Sequence, residues 1–300
     1  MPTPDPPLLF DRALLSARLE RALRAAPANP SADFLLRRAA EELADRLSLV
    51  RRVFAVAAEV GAPGPHAAEA LAARGGAVLT LRLAPSALAV GRGAYASAVG
   101  DLERLPLAPE SCDLVVSLMA LHHVNDLPGA LIQIRRALRP DGLFIAALAG
   151  GDTLTELRQS LTIAESEVLG GAAPRVAPFA DVRALGALLQ RAGFALPVVD
   201  SDRLVARYDD LIALMRDLRA FGATNALSLR SRRPLRRDVL VRAASLYAER
   251  FAEADGRLRA TFDTIWLTGW APHESQPKPL KPGSAAMRLA DALPSRKDVA

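Results

Sequence analysis

Two apolar strands joined by an amphipathic helix are the feature that most constrains the fold of this chain. The first predicted strand covers residues 113–118, and a Pro-Asp-Gly turn at 140–142 precedes the second strand at 143–148. Between them, apolar residues recur every three or four positions from 127 to 138, which is typical of a helix with one buried face. A crossover of this kind joins parallel strands. The segment therefore predicts an α/β fold built on a parallel sheet.

Composition excludes several classes of function. With 300 residues the chain can form one large α/β domain with additions, and its single cysteine, Cys112, cannot form an internal disulfide. We expect Cys112 to be a small buried residue, and no His, Asp or Glu spacing predicts a metal site. The net charge is +5, but the basic residues are nearly all arginines scattered among acids. This pattern does not favour nucleic acid as a partner.

The sequence predicts neither a membrane span nor a secretory signal. No run approaches the roughly 18 consecutive apolar residues of a spanning helix, and residues 1–7 lack a basic start and an apolar centre. These features predict a cytoplasmic protein. An arginine-rich helix at 14–23 leaves open a peripheral association with the inner membrane, although Asp11 and Glu20 dilute its charge and favour docking on the protein itself.

The remaining elements alternate between strands and helices. Asp11 is the expected N-cap of a first helix that ends at residues 27–30, and a second helix follows at 32–49. A strand pair is a candidate near residues 198–199 and 204–205, a late strand at 261–267 is expected at the sheet edge, and an extended tail begins at residue 272. The other predicted strands are 53–60, 77–83 and 94–99. The other predicted helices are 65–74, 86–90, a long helix after residue 153 that ends near residue 168, 181–191, 209–220 and 237–253.

Four short motifs in succession resemble the second half of a class I S-adenosylmethionine-dependent methyltransferase. They are Asp-x-x-x-Leu-Pro at 101–106, Asp-Leu-Val-x-Ser at 113–117, Leu-His-His-x-x-Asp at 121–126 and Leu-Arg-Pro-Asp-Gly at 138–142. This resemblance implies a doubly wound, seven-stranded, Rossmann-like sheet. The predicted organisation is an N-terminal helical cap (1–50), a methyltransferase-like core (51–205), a helical addition with the final strand (206–270) and an extended tail (271–300).

The same resemblance implies S-adenosylmethionine as cofactor. Asp101 is the acid expected near the adenine, with the Leu102 amide beside it, and a cap after Gly100 is the alternative role for Asp101. Pro63 and Pro65 depart from the expected glycine-rich turn because proline has a fixed φ and no N–H. The cofactor-binding residues that the resemblance implies are Glu59, Gly61, Gly64, Asp101, Leu102 and Ser117.

Arg82 stands where a carboxylate for the ribose hydroxyls is expected. Loss of two charged hydrogen bonds, each worth about 1.5–3 kcal/mol, weakens binding by about 10²–10⁴-fold. The alternative is that Arg82 is only a solvated residue at a strand end. In either case the expected acid is absent from this position.

His122 and Asp152 are the candidate catalytic residues. His122 and His123 follow the strand at 113–118, and histidine readily transfers protons near neutral pH. Adjacent histidines are not expected to face one cavity together, so a packing or surface role is the alternative for each. Asp152 follows the strand at 143–148, where a substrate loop is expected, and its alternative role is as an N-cap.

Further segments resemble the mitochondrial complex I assembly factor 5 family and its bacterial relatives. They are Leu-Phe-Asp-Arg at 9–12, His-His-Val-Asn-Asp-Leu-Pro at 122–128, Gly-Gly-Asp-Thr-Leu-Thr-Glu-Leu-Arg at 150–158, Ala-Pro-Phe at 177–179, Arg-Ala-Gly-Phe at 191–194, Thr-Gly-Trp at 268–270 and His-Glu-Ser-Gln at 273–276. The resemblance implies a relation to malonyl carrier-protein methyltransferases and a role in assembling respiratory complex I, where the mitochondrial member hydroxylates an arginine of a subunit.

Two functions remain open at this point. One is an enzyme that modifies a side chain of a protein, such as a complex I subunit, by methylation or arginine hydroxylation. The other is a protein that has lost its cofactor and acts as a binding module during complex I assembly. The fold alone does not settle the chemistry.

Overall fold

The structure, a computed structural model, describes residues 8–26 and 33–277. Its centre is one seven-stranded sheet with the order β3-β2-β1-β4-β5-β7-β6. Strands β1 to β5 are parallel, whereas β7 runs antiparallel to both β5 and β6. The strands are β1 (Val56–Val60), β2 (Leu79–Ala84), β3 (Ala96–Val99), β4 (Cys112–Leu118), β5 (Leu138–Ala149), β6 (Ala195–Tyr208) and β7 (Leu258–Trp270).

Eight α-helices surround this sheet within the described residues, and in four of them the side chain of an aspartate N-cap accepts a hydrogen bond from the first turn. Asp11, Asp126, Asp181 and Asp210 each accept a hydrogen bond from the backbone N–H three residues later, which satisfies one free donor of the first turn. The helices are α1 (Arg12–Ala25), α2 (Phe34–Ser48), α3 (His66–Arg74), α4 (Leu127–Ala137), α5 (Thr155–Leu169), α6 (Val182–Arg191), α7 (Leu211–Ala220) and α8 (Arg237–Phe251).

Three apolar clusters form the core. One face of the sheet packs on α4 and α6, and the other face packs on α2 and α3. A third cluster joins α5, α7 and α8 to the ends of β6 and β7. Because α5, α7 and α8 belong to the additions after β5, these additions have a core of their own beside the carboxyl end of the sheet.

The predicted fold class is confirmed, but two predictions about its last strands are wrong. Residues 195–208 form one continuous strand, where the sequence suggested a pair. The late strand β7 lies inside the sheet, and β6 is the edge strand. Burial explains the order, since β7 is buried on both faces over most of its length, whereas partly buried and exposed positions alternate along most of β6.

Several predicted features lie at or outside the limits of the described residues. The end of the first helix at 27–30 and the tail beyond residue 277 are outside them. At the start of the predicted tail, the Gln276 amide donates hydrogen bonds to Asp141 Oδ1 and the Ala271 carbonyl, both at 2.9 Å. In the part of the chain that the structure describes, no helix is long and apolar enough to cross a membrane.

Candidate functional site

A glycine turn follows β1 at the carboxyl end of the sheet. Gly61 has a φ of +82°, and its N–H donates to the Leu83 carbonyl at 2.9 Å. A Cβ at Gly61 would lie 2.5 Å from Leu102 Cδ1, so a side chain there would collide as well as strain the backbone. The turn therefore requires glycine at its first position. Pro65 precedes the first residue of α3, where its missing N–H leaves no helical bond unmade.

A fully buried ion pair lies beneath this turn. Arg82 Nε is 3.2 Å from Glu59 Oε2, and both side chains are 0% exposed. The prediction of Arg82 as a solvated residue is wrong because its neighbour in the sheet register is Glu59, which draws the guanidinium inward. Arg82 also donates to the carbonyls of Ala62, at 3.0 Å, and Ala89. Arg82 thus ties the glycine turn to the connection that follows β2.

Glu59 is engaged by the protein itself. Its Oε1 accepts a hydrogen bond from the Ala62 N–H at 2.7 Å. Burial acts to raise the pKa of Glu59, whereas the charge of Arg82 and the Ala62 N–H act to lower it. The carboxylate therefore supports the turn from below.

Asp101 lies at the end of β3 and pairs with α1. Arg12 Nη2 is 2.6 Å from Asp101 Oδ1, which also accepts the Glu103 N–H at 2.9 Å. Burial acts to raise the pKa of Asp101, but the hydrogen bonds from Arg12 and Glu103 lower it below its ordinary value. Through this pair, the N-terminal helix is attached to the residue that the sequence predicts near an adenine.

These residues surround a cavity of about 450 Å³, hereafter the smaller cavity. Its lining includes three of the predicted cofactor-binding residues, Gly61, Asp101 and Leu102. Residues of α1, among them Arg12 and Ser16, line the same space. The volume lies within the range of about 300–1,000 Å³ that is usual for small-molecule sites.

A second space of about 800 Å³, hereafter the larger cavity, lies between the carboxyl end of the sheet and the helical additions. Pro63, Met119, His123 and Phe221 line both cavities, so the two are neighbours. The larger cavity has apolar walls from α5 and β7. Arginines surround it, namely Arg18, Arg175, Arg219, Arg230, Arg232 and Arg233.

His122 and His123 both line the larger cavity, which contradicts the expectation that adjacent histidines would not share one. A short 3-10 turn at Leu121–His123 turns their rings toward the same side, with 4.0 Å between the ring centroids. Burial, followed by the effect of His123, lowers the pKa of His122 well below its ordinary value, and burial lowers that of His123 to about 4. Both imidazoles are therefore neutral near pH 7.

Four predicted site residues do not line either cavity. The Ser117 hydroxyl donates to the Val60 carbonyl at 2.9 Å and is fully buried, as is Glu59. Gly64 lies against α2, where an added Cβ would be 2.8 Å from Leu36 Cδ2. The Asp152 side chain is 59% exposed and pairs with Arg203; it does not cap α5, whose N-cap is Leu154. Direct contact between these four residues and a ligand stays a prediction.

Asp263, which lies on β7 and lines the larger cavity, is not among the residues predicted from the sequence. The residue is 9% exposed, and among residues 8–26 and 33–277 its Oδ1 has no hydrogen-bond partner. The Thr153 hydroxyl donates to the Asp263 carbonyl and accepts its N–H, both at 3.0 Å. A single carboxylate in the middle of a largely buried strand was the available signal. Among the described residues, no group of three or more His, Cys, Asp or Glu side chains is placed to hold a metal.

Comparisons with known proteins agree with this geometry. The family model described as a methyltransferase domain matches residues 58–146. The zebrafish (Danio rerio) protein described as mitochondrial arginine-hydroxylase NDUFAF5 is 40% identical over 265 residues, covering 86% of this chain and 82% of the relative. A malonyl-[acyl-carrier protein] O-methyltransferase of Laribacter hongkongensis is 37% identical, covering 83% of this chain and 86% of the relative. The chain belongs to the methyltransferase family that includes these two relatives.

Membership of the family confirms the resemblance found in the flanking segments. The human NDUFAF5 protein is 38% identical and covers 94% of this chain and 83% of its own length. The YcgJ protein of Bacillus subtilis, a solved structure, matches with a TM-score of 0.53 at 16% identity, covering 79% of this chain and 99% of that chain. A Bacillus halodurans protein described as a methyltransferase matches with a TM-score of 0.54 at 13% identity, covering 77% and 98%. These two structures share the fold with this member of the family.

Proposed function

We propose that this chain is an S-adenosylmethionine-dependent enzyme that modifies a side chain of a protein. The single observation that carries the proposal is the pair of adjoining cavities at the carboxyl end of the sheet, which share the wall formed by Pro63, Met119, His123 and Phe221. In doubly wound folds, ligands bind at this end of the strands. The smaller cavity is suited to a cofactor and the larger cavity to the acceptor.

The smaller cavity fits an adenosyl group at two of three expected places. At the first place, Gly61 forms a turn that has no side chain of its own to obstruct a ligand. At the second place, Asp101 supplies a carboxylate and Leu102 an apolar surface for an adenine. At the third place Arg82 points into the protein and supplies no carboxylate for the ribose. We therefore expect the adenine end to contribute most of the binding selectivity.

The residues around the cavities would position the reactants. When bound, S-adenosylmethionine supplies an electrophilic methyl group. Because methyl transfer depends mainly on alignment of the two reactants, the chain needs a rigid wall and exclusion of water more than a strong base. Because burial lowers the pKa of His122 and His123, both are neutral, weak bases near pH 7, and they are suited to hydrogen bonding with the acceptor and not to removing a proton from it. His122 Nδ1 accepts the Ala149 N–H, with 3.4 Å between the two nitrogens, which leaves the His122 Nε2–H as a donor.

The relatives suggest the kind of acceptor and the biological setting. Relatives described as arginine hydroxylases cover most of the chain, which supports a protein side chain as the acceptor and a role in respiratory complex I assembly. Hydroxylation and methyl transfer are different reactions, and a shared fold is compatible with both. The carrier-protein O-methyltransferases have similar coverage and support methyl transfer.

A second candidate function is a cofactor-free assembly module. The buried Arg82 favours it, because this residue occupies the position where a ribose-binding acid is expected. The Arg12–Asp101 pair favours it as well, because the acid expected near the adenine is already engaged.

Calorimetric titration of S-adenosylmethionine separates the two functions. We expect micromolar affinity for the unmodified chain and about a 10- to 150-fold loss in Asp101→Asn, since one charged hydrogen bond contributes about 1.5–3 kcal/mol. Asp202→Asn is the matched control, because Asp202 pairs with Arg38 of α2 at 2.9 Å and does not line either cavity. Absence of binding at millimolar ligand would reject the enzyme and favour the assembly module.

A further inference from the structure

Met119 has a left-handed backbone conformation at the point where β4 ends. Its φ is +52°, a conformation that is strained in a residue with a long side chain and that glycine adopts without strain. Leu118, the last residue of β4, pairs with Ala147 of β5, and the Met119 N–H continues this pairing by donating to the Ala147 carbonyl at 2.7 Å. The strained residue is therefore held at the carboxyl end of the sheet.

The turn after β4 does not itself require a methionine. Beyond Met119 the chain enters the 3-10 turn at Leu121–His123, in which the His123 N–H donates to the Ala120 carbonyl at 3.0 Å. A glycine at position 119 would make the same change of direction without strain. Strained residues persist where the surrounding structure fixes them, and they are frequent at ligand sites. The strain is explained if the Met119 side chain is needed at this place.

The place that this side chain occupies is the wall shared by the two cavities. Met119 is half-buried, between the buried Leu118 and Ala120, and it lines both the smaller and the larger cavity. It also packs against the apolar cluster on the α2 and α3 face of the sheet. Ala120 connects it to the glycine turn, since a Cβ added to Gly61 would lie 3.1 Å from the Ala120 Cβ. Met119 thus lies at the boundary between the turn expected to hold a cofactor and the larger cavity.

The other members of the shared wall are rings. The His123 ring contacts the Phe10 ring edge-on, with 5.6 Å between the centroids, and the Phe221 ring contacts the Phe34 ring at 5.4 Å. Pro63 has a rigid ring of its own. A methionine side chain is long and unbranched and fills irregular gaps. In this wall, the length of the Met119 side chain therefore decides how much space remains between the cavities.

From these observations we infer that the Met119 side chain limits the size of the group that can extend from the smaller cavity into the larger one. Met119 therefore selects cofactors whose sulfur carries a methyl group over cofactors with a longer substituent. The inference rests on the proposed function, because a group that passes from a cofactor in the smaller cavity to an acceptor in the larger one has to cross the shared wall. A packed wall discriminates against added methylene groups, since overpacking is unfavourable.

The experiment titrates three ligands into the full chain by calorimetry. They are S-adenosylhomocysteine, S-adenosylmethionine and the S-propyl analogue, whose sulfur substituent has two more methylene groups. We expect the unmodified chain to bind the S-propyl analogue at least about tenfold more weakly than S-adenosylmethionine. In Met119→Ala the two affinities should agree to within about threefold, whereas Met119→Leu, with a side chain of similar volume, should keep the selection. S-adenosylhomocysteine, which lacks the substituent, should bind Met119→Ala as well as it binds the unmodified chain.

Leu154→Ala is the matched control. Leu154 also has a positive φ, of +54°, and it lines the larger cavity but not the smaller one. Leu154→Ala therefore enlarges the larger cavity away from the shared wall and should keep the selection against the S-propyl analogue. Equal loss of this selection in Leu154→Ala and Met119→Ala would overturn the inference.

Thermal unfolding supplies a measurement that does not depend on any ligand. At a positive φ, glycine removes the backbone strain that alanine keeps, so Met119→Gly should unfold at a higher temperature than Met119→Ala, the reverse of the usual order. If Met119→Gly instead unfolds at the lower temperature, position 119 is not strained and the inference is overturned. Met119→Gly also replaces Met119→Ala in the titrations if the alanine variant does not fold.

The titrations separate this inference from the proposed function. If the unmodified chain binds S-adenosylmethionine and the S-propyl analogue equally, or a folded Met119→Ala keeps the selection, only the role of Met119 is rejected. If the unmodified chain binds none of the three ligands, the proposed function is rejected and the role of Met119 with it.

Discussion

The two cavities differ in how their polar groups are used. In the smaller cavity, Asp101 is bonded to Arg12 and the glycine turn is supported by the Glu59–Arg82 pair. In the larger cavity, Asp263 lacks a partner at one oxygen and several arginines are unpaired within the described residues. The family core thus satisfies its own charges, whereas the additions leave charges available. The difference suggests that substrate selection belongs to the additions.

Arg82→Met should have the largest effect, because it breaks the internal support of the smaller cavity. Removing one member of a buried ion pair leaves the other charge without compensation, and we expect the free energy of unfolding to fall by about 3–5 kcal/mol. Urea denaturation measures this change. Arg203→Met, which breaks the exposed pair with Asp152, is the matched control and should have little effect.

The double variant Glu59→Gln with Arg82→Met tests whether the loss of stability comes from the uncompensated charge of Glu59. Because it removes both charges, it should recover much of the stability that Arg82→Met loses. If Arg82→Met alone is as stable as the unmodified chain, the buried pair is not what supports the turn.

Lowering the pH should act on the wall that both cavities share. Burial lowers the pKa of His123 from 6.5 to about 4, so the unfolded chain binds a proton at a higher pH than the folded chain does. The contribution of this group to stability is complete above about pH 6.5 and decreases as the pH falls toward 4, by about 3 kcal/mol in total. Urea denaturation as a function of pH measures the slope.

His123→Asn isolates this contribution from that of the carboxylates. Its stability should depend less steeply on pH between 6.5 and 4 than that of the unmodified chain. Near pH 8 the difference in free energy of unfolding between the two proteins should no longer depend on pH. Identical slopes for both proteins would mean that His123 is protonated as readily in the folded chain as in the unfolded one.

Gly61→Ala should damage the smaller cavity and spare the larger one. A positive φ and a Cβ only 2.5 Å from Leu102 Cδ1 should cost about 1–3 kcal/mol and abolish S-adenosylmethionine binding. Gly170→Ala is the control, because Gly170 has a φ of +75° and nothing within 4 Å of an added Cβ. Gly170→Ala should lower the free energy of unfolding to a smaller extent and leave the affinity for S-adenosylmethionine unchanged. Equal cofactor binding in the two variants would contradict a role for the turn.

Arg12→Gln should have the smallest effect, since the Arg12–Asp101 pair is partly exposed. Freeing Asp101 should raise the affinity for S-adenosylmethionine by less than about fivefold, because exposed ion pairs contribute about 0–1 kcal/mol. Salt weakens such pairs, so the gain should shrink between 0.05 M and 0.5 M salt, which calorimetry can follow. A loss of affinity would instead mean that Arg12 itself contacts the ligand.

Local patterns were sufficient to predict most of the sheet. The apolar runs and the crossover after β4 are local signals, as is the Asp11 cap, which accepts the Leu14 N–H at 3.0 Å. The inward turn of Arg82 depends on Glu59 in a neighbouring strand, a relation between strands that no local pattern encodes. Residues 101–102 line the smaller cavity, and the contact with an adenine that their short, contiguous motif predicts stays a prediction. Asp263 was missed because its setting is created by β7 packing beside α5, far away in sequence.

The place of β7 in the sheet has a consequence for how the chain folds during synthesis. In the sheet β7 lies between β5 and β6, but along the chain it is the last strand of the described residues. Strand β6 ends at residue 208, fifty positions before β7 begins at residue 258. Until residues 258–270 leave the ribosome, β6 has no strand to pair with and β5 presents a free edge. A chain arrested before residue 258 therefore exposes unpaired strand edges on β5 and β6, which can pair with strands of other chains. Such an arrested chain is the species on which a chaperone would act.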